Sequence, residues 1–475
     1  MIRRVWMVLA AMLTAAMVAA CGASKPHDRS GSGCESHPVH SSECAPRHPA
    51  KVGAPTPSGV VCSQTLNPGA DVQSALSSAS PGAVVCLNSG GWSAITLTSV
   101  APASPGVTLA ATPGETVDVP GFVINGSNTE NVTVEGFNIQ HPNSYGGGID
   151  LFGGSTGGIV LRYDTIENIV NGTGIYLDPH YSNADQTGVT IEYTQMDHVG
   201  NGLEVDGNTG ENNNITYSHN VMGPGLQDGE YAHYIQVGGV DGLTINNNAF
   251  IGPPDAAYEN CNGDGSESHL NVMHIDGGQT NVTIDNNILW HTQACGQSLL
   301  LQNSPMDNIN VNNNLDVEDP GCDTNGNDGF TYGCQSYLIE MEAPHTSTFN
   351  NNTEVNGCCG IVLGAVLGGG EGTYTDPNHM TAQDNVIAPV PGVTGQGNYG
   401  QWTCDSACTV GDNVSADSSV ATFGGSGNIA NWTPSWQNTT WTPVSGPGYQ
   451  PPPAGYYQPT SLSIPGAGYQ GQIGP

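Results

Sequence analysis

The most constraining feature of this sequence is a short alternating segment that recurs along most of the chain. Copies such as Val189-Thr-Ile-Glu and Val282-Thr-Ile-Asp alternate apolar and polar residues, as in a strand with one buried face. Strong copies begin 26 to 39 residues apart, at Val132, Ile159, Val189, Ile215, Leu243, Val282 and Ile309, and weaker copies begin at Ser347 and Met380. A recurrence of this length predicts a stack of structural repeats.

An asparagine follows most of these segments at a fixed offset. The positions are Asn220, Asn248, Asn287, Asn314, Asn352 and Asn385. Asparagine tolerates the left-handed backbone conformation and hydrogen-bonds to the backbone at bends. In stacked coils these side chains are therefore predicted to form an asparagine ladder inside one turn.

A second apolar segment recurs between the copies. It begins at Gly174, Gly202, Tyr234, Val272, Ser298 and Leu338. Each coil of roughly 27 residues therefore contains several short strands and bends, and such coils stack at about 4.8 Å in a β-solenoid. The sequence predicts an all-β solenoid.

The start of the repeat region carries a more specific pattern. Residues 70–79 form an amphipathic pattern that predicts a short capping helix, and Ala-x-Pro-Gly-x-x-Val-x-Leu follows at 79–87. With the Val-Thr-Ile coils, this arrangement resembles the pectate-lyase-like superfamily over about residues 57–400. The resemblance implies a right-handed parallel β-helix with an N-terminal capping helix, which we assign to residues 57–425. The low-complexity segment 426–475, rich in Pro, Gly and Tyr, is expected to be extended or disordered.

That superfamily includes lyases, hydrolases, epimerases, adhesins and phage tail spikes, so the fold alone does not determine the activity. Its polygalacturonase-like hydrolases carry an Arg-Ile-Lys element and a Gly-His-Gly element, and this sequence contains neither. Because no lysine occurs after residue 51, the lysine-based version of the lyases is also excluded for the β-helix.

The charge of the chain is strongly negative, with 42 acidic residues, 7 basic residues and a formal net charge of -35. From residue 52 onward the only base is Arg162, whereas all but three of the acids lie there. Such a body has no basic surface for nucleic acid. Arg162 aligns with Glu135 and Glu192 of the neighbouring repeats. It is either the centre of an exposed Glu-Arg-Glu ladder or a base or carboxylate clamp like the arginine of β-helix lyases.

The outward positions of the second segment gather groups suited to acid–base chemistry. One column reads Tyr176, Glu204, Gln236, His274, Leu300 and Glu340, and two residues further on lie Asp178, Asp206, Asp276, Gln302 and Glu342. The catalytic candidates are His233, His274, Asp276, Glu204 and Glu340, because carboxylates and imidazoles in one groove can transfer protons or hydrolyse a glycosidic bond. The alternative is a solvated polar face. The segment His269 to Gly278 resembles the His-x-Asp-x-x-Gln-x-x-Gly-Gly element of secreted β-helix proteins, with Asn271 and His274 in place of Asp and Gln.

Two coils carry long insertions with the alternating oxygen ligands of calcium loops. Asp264 and Glu267 belong to the first insertion, and Asp323 and Asp328 belong to the second. Calcium is therefore a candidate cofactor, and ordinary Asn/Gly turns are the alternative. Both insertions are expected to flank the coil of His274.

The N-terminal sequence predicts export from the cytoplasm. Two arginines precede an apolar run, and Val-Ala-Ala-Cys21 resembles the lipobox of bacterial lipoproteins. We expect residues 1–20 to be a signal peptide, Cys21 to be lipidated for membrane anchoring, and residues 21–56 to be a flexible Ser/Pro/His tether. In the tether, Cys34, His37, His40 and Cys44 form either a metal-ligand cluster or a segment closed by a Cys34–Cys44 disulfide.

Twelve cysteines remain besides Cys21, an even number that predicts disulfides in an oxidising compartment. Proximity in sequence favours Cys62–Cys86, Cys261–Cys295, Cys322–Cys334 and Cys404–Cys408. The adjacent Cys358 and Cys359 are expected to pair elsewhere.

Two functions fit these observations. The first is a surface-anchored carbohydrate-active enzyme, either a hydrolase that uses carboxylates on a neutral or weakly charged glycan or a calcium-dependent lyase in which His233, His274 or a tyrosine is the base. The second is a non-catalytic module that binds a glycan or another partner on the same face. In both cases the expected partner is a polysaccharide and the protein is expected to be a monomer.

Overall fold

A computed structural model describes the chain at residues 59–125, 129–140, 142, 146–152, 156–178, 186–207, 212–223, 233–252, 271–290, 298–302, 306–317, 339–341, 346–355, 361–363, 380–388, 403–404 and 409–416, and at short stretches between 420 and 460. These residues all belong to one compact unit, Gly53–Ala365 together with Tyr374–Pro475. None of the described helices is long and apolar enough to cross a membrane.

The described residues contain one helix, α1 (Val72–Ser78), and 33 strands. The first strands are β1 (Gln64–Leu66), β2 (Val84–Leu87), β3 (Ile95–Thr98), β4 (Val107–Ala111), β5 (Asp118–Val119), β6 (Phe122–Asn125), β7 (Val132–Glu135), β8 (Asn138–Ile139), β9 (Ile149–Phe152), β10 (Thr156–Arg162), β11 (Thr165–Asp178), β12 (Gln186–Glu192), β13 (Gln195–Val205), β14 (Asn212–Ser218), β15 (Val221–Met222), β16 (Ile235–Gly238) and β17 (Val240–Asn246). The others are β18 (Ala249–Ile251), β19 (Met273–Asp276), β20 (Gln279–Asp285), β21 (Ile288–Trp290), β22 (Leu299–Gln302), β23 (Met306–Asn312), β24 (Leu315–Val317), β25 (Ile339–Met341), β26 (Ser347–Asn350), β27 (Thr353–Val355), β28 (Ile361–Leu363), β29 (Met380–Gln383), β30 (Val386–Ala388), β31 (Thr403–Cys404), β32 (Thr409–Gly411) and β33 (Val414–Ser415).

Every pairing between these strands is parallel and joins consecutive coils. Sheet A is a stack of 13 strands, β1, β2, β4, β7, β10, β12, β14, β17, β20, β23, β26, β29 and β32. Sheet B is the stack β3, β6, β9, β11, β13, β16, β19, β22, β25, β28 and β31. Sheet C is the stack β5, β8, β11, β13, β15, β18, β21, β24, β27, β30 and β33, and the long strands β11 and β13 run from sheet C into sheet B. The predicted right-handed parallel β-helix is confirmed.

The interior of the coils is a continuous apolar core. Alternate residues of each strand point inward, as Val189 and Ile191 do in β12, and both are fully buried. The helix α1 adds Val72, Ala75 and Leu76 to the N-terminal end of this core. Its first turn is capped by the side chain of Asp71, which accepts a hydrogen bond from the Ser74 backbone N–H at 2.9 Å. The predicted capping helix is therefore confirmed.

The turn after sheet A contains the predicted asparagine ladder. Each side-chain Nδ2 donates to the Oδ1 of the asparagine one coil further on, as Asn287 does to Asn314 at 2.9 Å, and also to a backbone carbonyl, here Ile245 O at 2.9 Å. The same Oδ1 accepts the backbone N–H of the preceding rung. The ladder comprises Asn220, Asn248, Asn287, Asn314, Asn352, Asn385, Asn413 and Asn428. The ladder extends two asparagines beyond the prediction, Asn413 and Asn428.

The disulfide Cys62–Cys86 is present and closes the first coil, where the neighbouring strands β1 and β2 pair. The other proposed disulfides involve residues that lie outside the described part of the chain or have only a described backbone. The signal peptide, Cys21 and the tether also lie outside it.

Described residues of the C-terminal segment pack against the β-helix, although an extended or disordered tail was expected. Asn428 continues the ladder, and Tyr456 and Tyr457 are buried against the outer residues of sheet C, including Val317 and Val355. Trp436 packs edge-to-face against Tyr457, with ring centroids 5.7 Å apart. Aromatic residues spaced among Pro and Gly therefore cover an apolar outer surface here.

Asp164 occupies the ladder position in an earlier coil and is completely buried. Its Oδ1 accepts the Phe137 N–H at 2.9 Å, as an asparagine rung would, and its Oδ2 has no hydrogen-bond partner among the described residues. Burial raises the pKa of Asp164 well above its ordinary value, and the nearby Glu135 raises it further.

We predict that Asp164→Asn stabilises the protein at neutral pH. A carboxyl with a raised pKa in the folded state loses stabilising free energy as the pH rises above its unfolded pKa of about 4, whereas asparagine does not titrate. The expected gain is about 1–3 kcal/mol at pH 7 and shrinks toward pH 4, as measured by urea unfolding at both values. The converse variant Asn248→Asp should lose stability at pH 7. An equal gain for Asp164→Asn at both pH values would contradict the account.

Candidate functional site

The outer face of sheet B brings the predicted column of polar residues into register. Backbone pairing places in one line the residues Asp150, Tyr176, Glu204, Gln236, His274, Leu300 and Glu340. The second column contains Asp178, then Asp206 one coil on, then Gly238, Asp276 and Gln302. Both columns follow from strand alternation, because the residues between them point into the core.

Glu204 is oriented by two donors from the long strands β11 and β13. Thr173 Oγ1 donates to Glu204 Oε2 at 2.8 Å, and Asn201 Nδ2 donates to the same oxygen at 3.0 Å. The carboxylate is half-buried and therefore accessible from solvent. Its position in the first column agrees with the strand alignment, and its role as a site residue stays a prediction.

His233 lies behind this surface and is only 2 % exposed. Its backbone N–H donates to Asn201 Oδ1 at 3.0 Å, and its Nδ1 accepts the backbone N–H of Asn271 at 3.1 Å. The same Nδ1 also lies 3.3 Å from the Asn271 carbonyl oxygen. Its buried ring packs edge-on against His274, with centroids 5.1 Å apart, so His233 supports the outer imidazole.

His274 and Asp276 form an outward pair on β19. His274 Nε2 lies 3.4 Å from Asp276 Oδ1, and the side chains are 10 % and 37 % exposed. The carboxylate is thus the more accessible partner, and the imidazole orients it from the side. This is the pair that the sequence predicted on one strand.

Tyr176 lies one coil before Glu204, and its hydroxyl donates to Asp206 Oδ2 at 3.4 Å. Burial raises the pKa of Tyr176, and the carboxylates of Asp178, Asp206 and Glu204 raise it further. The hydroxyl therefore remains protonated at neutral pH and acts as a donor. This disfavours Tyr176 as the tyrosine base considered for a lyase.

The remaining predicted site residues are less completely described. The backbone of Glu340 pairs with Leu300 and Val362, so it belongs to the first column. Asp264, Glu267, Asp323 and Asp328 lie outside the described residues, so calcium there stays a prediction. Within the described residues, no group of three or more His, Cys, Asp or Glu side chains is arranged to hold a metal ion.

Arg162 lies on sheet A, away from these columns. Its Nε contacts Glu135 Oε2 at 2.7 Å and its Nη1 lies 3.6 Å from Glu192 Oε1. The guanidinium also lies over the Tyr163 ring, 5.8 Å from the centroid. The Glu-Arg-Glu ladder, one of the two alternatives for Arg162, is present, but Glu135 is buried in it and not exposed as expected.

We predict that Arg162→Met costs about 1–3 kcal/mol of unfolding free energy, because the carboxylate of Glu135 is 2 % exposed and loses its charged donor. Glu192→Gln is the matched control. Glu192 is more exposed and more distant from Arg162, so its replacement should change stability by less than about 0.5 kcal/mol. Equal losses for the two variants in urea unfolding would contradict this assignment.

Two kinds of site residue were missed by the sequence reasoning. Thr173 and Asn201 lie in β11 and β13 immediately before the second repeated segment, so the aligned copies do not include them, yet they orient Glu204. Gly238 was omitted from the second column because it has no functional group. The signal that reveals it is the column itself, in which it falls between Asp206 and Asp276.

Comparison with known proteins identifies similar solved structures but no close relative. A variant of the PL6 family alginate lyase AlyGC matches with a TM-score of 0.50 and 14 % identity, covering 86 % of this chain and 57 % of that chain. A PL6 alginate lyase in complex with a trisaccharide matches with a TM-score of 0.46 and 13 % identity, covering 87 % of this chain and 95 % of that chain. No protein-family model and no curated protein matches. The likeness establishes the fold alone. This chain spans 57 % of the length of AlyGC.

Proposed function

We propose that this protein hydrolyses glycosidic bonds of an extracytoplasmic polysaccharide on the outer face of sheet B. The observation that carries the proposal is the convergence of Glu204, held by two donors, with the His274–Asp276 pair within three consecutive coils. At about 4.8 Å per coil, these groups lie within about 10 Å of one another along the axis. That span is suited to one sugar unit and its neighbouring glycosidic bond.

The chemistry follows from the residue types. Hydrolysis needs a proton donor for the leaving oxygen, a carboxylate that activates water, and negative charge near the oxocarbenium-like transition state. Carboxylates beside an imidazole and a protonated tyrosine can supply all three. Gln236 lies between Glu204 and His274 and can donate and accept hydrogen bonds with sugar hydroxyls.

The substrate is a neutral or weakly charged glycan. The body has a single base, Arg162, which is paired with glutamates on sheet A. A polyanion would therefore meet carboxylates on sheet B without a cation from the protein. This favours hydrolysis over elimination from a uronate polymer.

The test is a panel of neutral polysaccharides and uronate polymers, each incubated with the purified protein with and without calcium. We expect new reducing ends from a neutral glycan and no unsaturated uronates, which absorb near 235 nm. His274→Gln should lower the rate by about 10²-fold or more, whereas Arg162→Met should retain it. Calcium-dependent unsaturated products would identify a lyase instead, and glycan binding without cleavage would support the non-catalytic alternative.

We also propose that the protein is anchored outside the cytoplasm through a lipid on Cys21. The support is the apolar run and the Val-Ala-Ala-Cys segment at residues 18–21. Cys21→Ser should move the protein from the membrane fraction to the soluble fraction of a bacterial host. Unchanged membrane association of this variant would reject the lipid anchor.

A further inference from the structure

The second column on sheet B has one gap. Asp206, Gly238 and Asp276 follow one another on successive coils, so two carboxylates flank a position that has no side chain. Gly238 is half-exposed, and Gln236 precedes it in the neighbouring column. Around this point lie also Glu204 and His274, one coil before and one coil after Gln236. The gap is therefore a notch surrounded by polar and acidic side chains.

The backbone does not require glycine at the notch. Gly238 lies outside the left-handed region, whereas the next residue, Gly239, has a φ of 66°. A Cβ at Gly238 would meet only Gly207 O at 3.5 Å and Val205 O at 3.8 Å, which are ordinary contacts. An alanine would therefore fit the fold at this position, and its methyl group would occupy part of the gap in the column between Asp206 and Asp276.

Each flanking carboxylate has one polar neighbour outside the notch. Tyr176 OH lies 3.4 Å from Asp206 Oδ2, and His274 Nε2 lies 3.4 Å from Asp276 Oδ1. The two carboxylates are thus held by different partners. This arrangement allows them to act as two separate groups.

In a hydrolase that uses two carboxylates, the separation of the carboxyl groups determines the stereochemistry. A separation of about 6.5–9.5 Å leaves room for a water molecule and leads to inversion, whereas about 5–5.5 Å leads to retention. Two coils at about 4.8 Å place the Asp206 and Asp276 backbones about 10 Å apart, whereas the backbones of Asp178 and Asp206 lie one coil, about 4.8 Å, apart. The backbone spacing of Asp206 and Asp276 is therefore closer to the wider separation.

We propose that the notch at Gly238 holds the sugar ring whose bond is broken, and that Asp206 and Asp276 are the acid and base of an inverting hydrolysis. This inference rests on the proposed function. One carboxyl gives its proton to the glycosidic oxygen as the bond to the anomeric carbon breaks. The other takes a proton from the water whose oxygen bonds to that carbon from the opposite side. The ligand is a neutral, hydroxyl-rich pyranose or furanose unit.

The decisive experiment follows the anomeric configuration of the first product by proton NMR on the glycan that the wild-type protein cleaves. We expect inversion. Asp206→Asn and Asp276→Asn should each reduce kcat by about 10²–10⁴-fold, and Asp178→Asn should stay within a few-fold of wild type. Retention, or activity that requires Asp178 and Asp206 but not Asp276, would overturn the notch assignment.

Two glycine variants distinguish a loss of activity caused by filling the notch from a loss caused by impaired folding. Gly238→Ala should lower kcat/KM at least tenfold with an unchanged melting temperature. Gly157→Ala is the control, because it lies on sheet A and a Cβ there would meet its nearest atoms at 3.9 and 4.0 Å. Full activity of Gly238→Ala would reject the notch while the hydrolase function stands. If the wild-type protein releases no reducing ends from any glycan, the proposed function fails and the notch fails with it.

Discussion

The structure depends on the hydrogen bonding of buried asparagines at the turn that follows sheet A. Each rung satisfies a backbone N–H of the preceding coil and a backbone carbonyl, and it also bonds to the next rung, as Asn248 does with Tyr217 O and Asn287. A buried turn would otherwise leave these backbone groups without partners, at about 1–3 kcal/mol each. The ladder therefore holds successive coils in one register. That register decides which side chains become neighbours on sheet B.

Much of this could be predicted because the solenoid has one repeating rule. The coil period, the asparagine column and the neighbours of His274 all follow from aligning copies of one segment, and the hydrogen bonds confirm the alignment. Residues outside the aligned segments escaped the same reasoning. Asn201 contacts Glu204 from the part of β13 that precedes the second repeated segment, and Asp164 occupies a ladder position with a different side chain, so neither matches the repeat. The packed aromatic residues of the C-terminal segment carry no periodic signal at all.

The candidate site on sheet B is acidic because the arginine lies on the other sheet. The single arginine found from residue 52 onward lies on sheet A, where it is paired with two glutamates. Sheet B has carboxylates, imidazoles and amides without a cation. A face of this kind attracts hydroxyl donors and stabilises positive charge in a transition state, which are the demands of glycoside hydrolysis.

The central claim is that the functional face is the outer surface of sheet B at Gly238. It is tested most directly by a crystal structure of the Asp276→Asn variant with an oligosaccharide of the cleaved glycan. The account predicts a sugar ring over Gly238, with its glycosidic oxygen or anomeric carbon facing Asp206 and the replaced residue 276. An oligosaccharide bound on sheet A, or on sheet B away from Gly238, would contradict it.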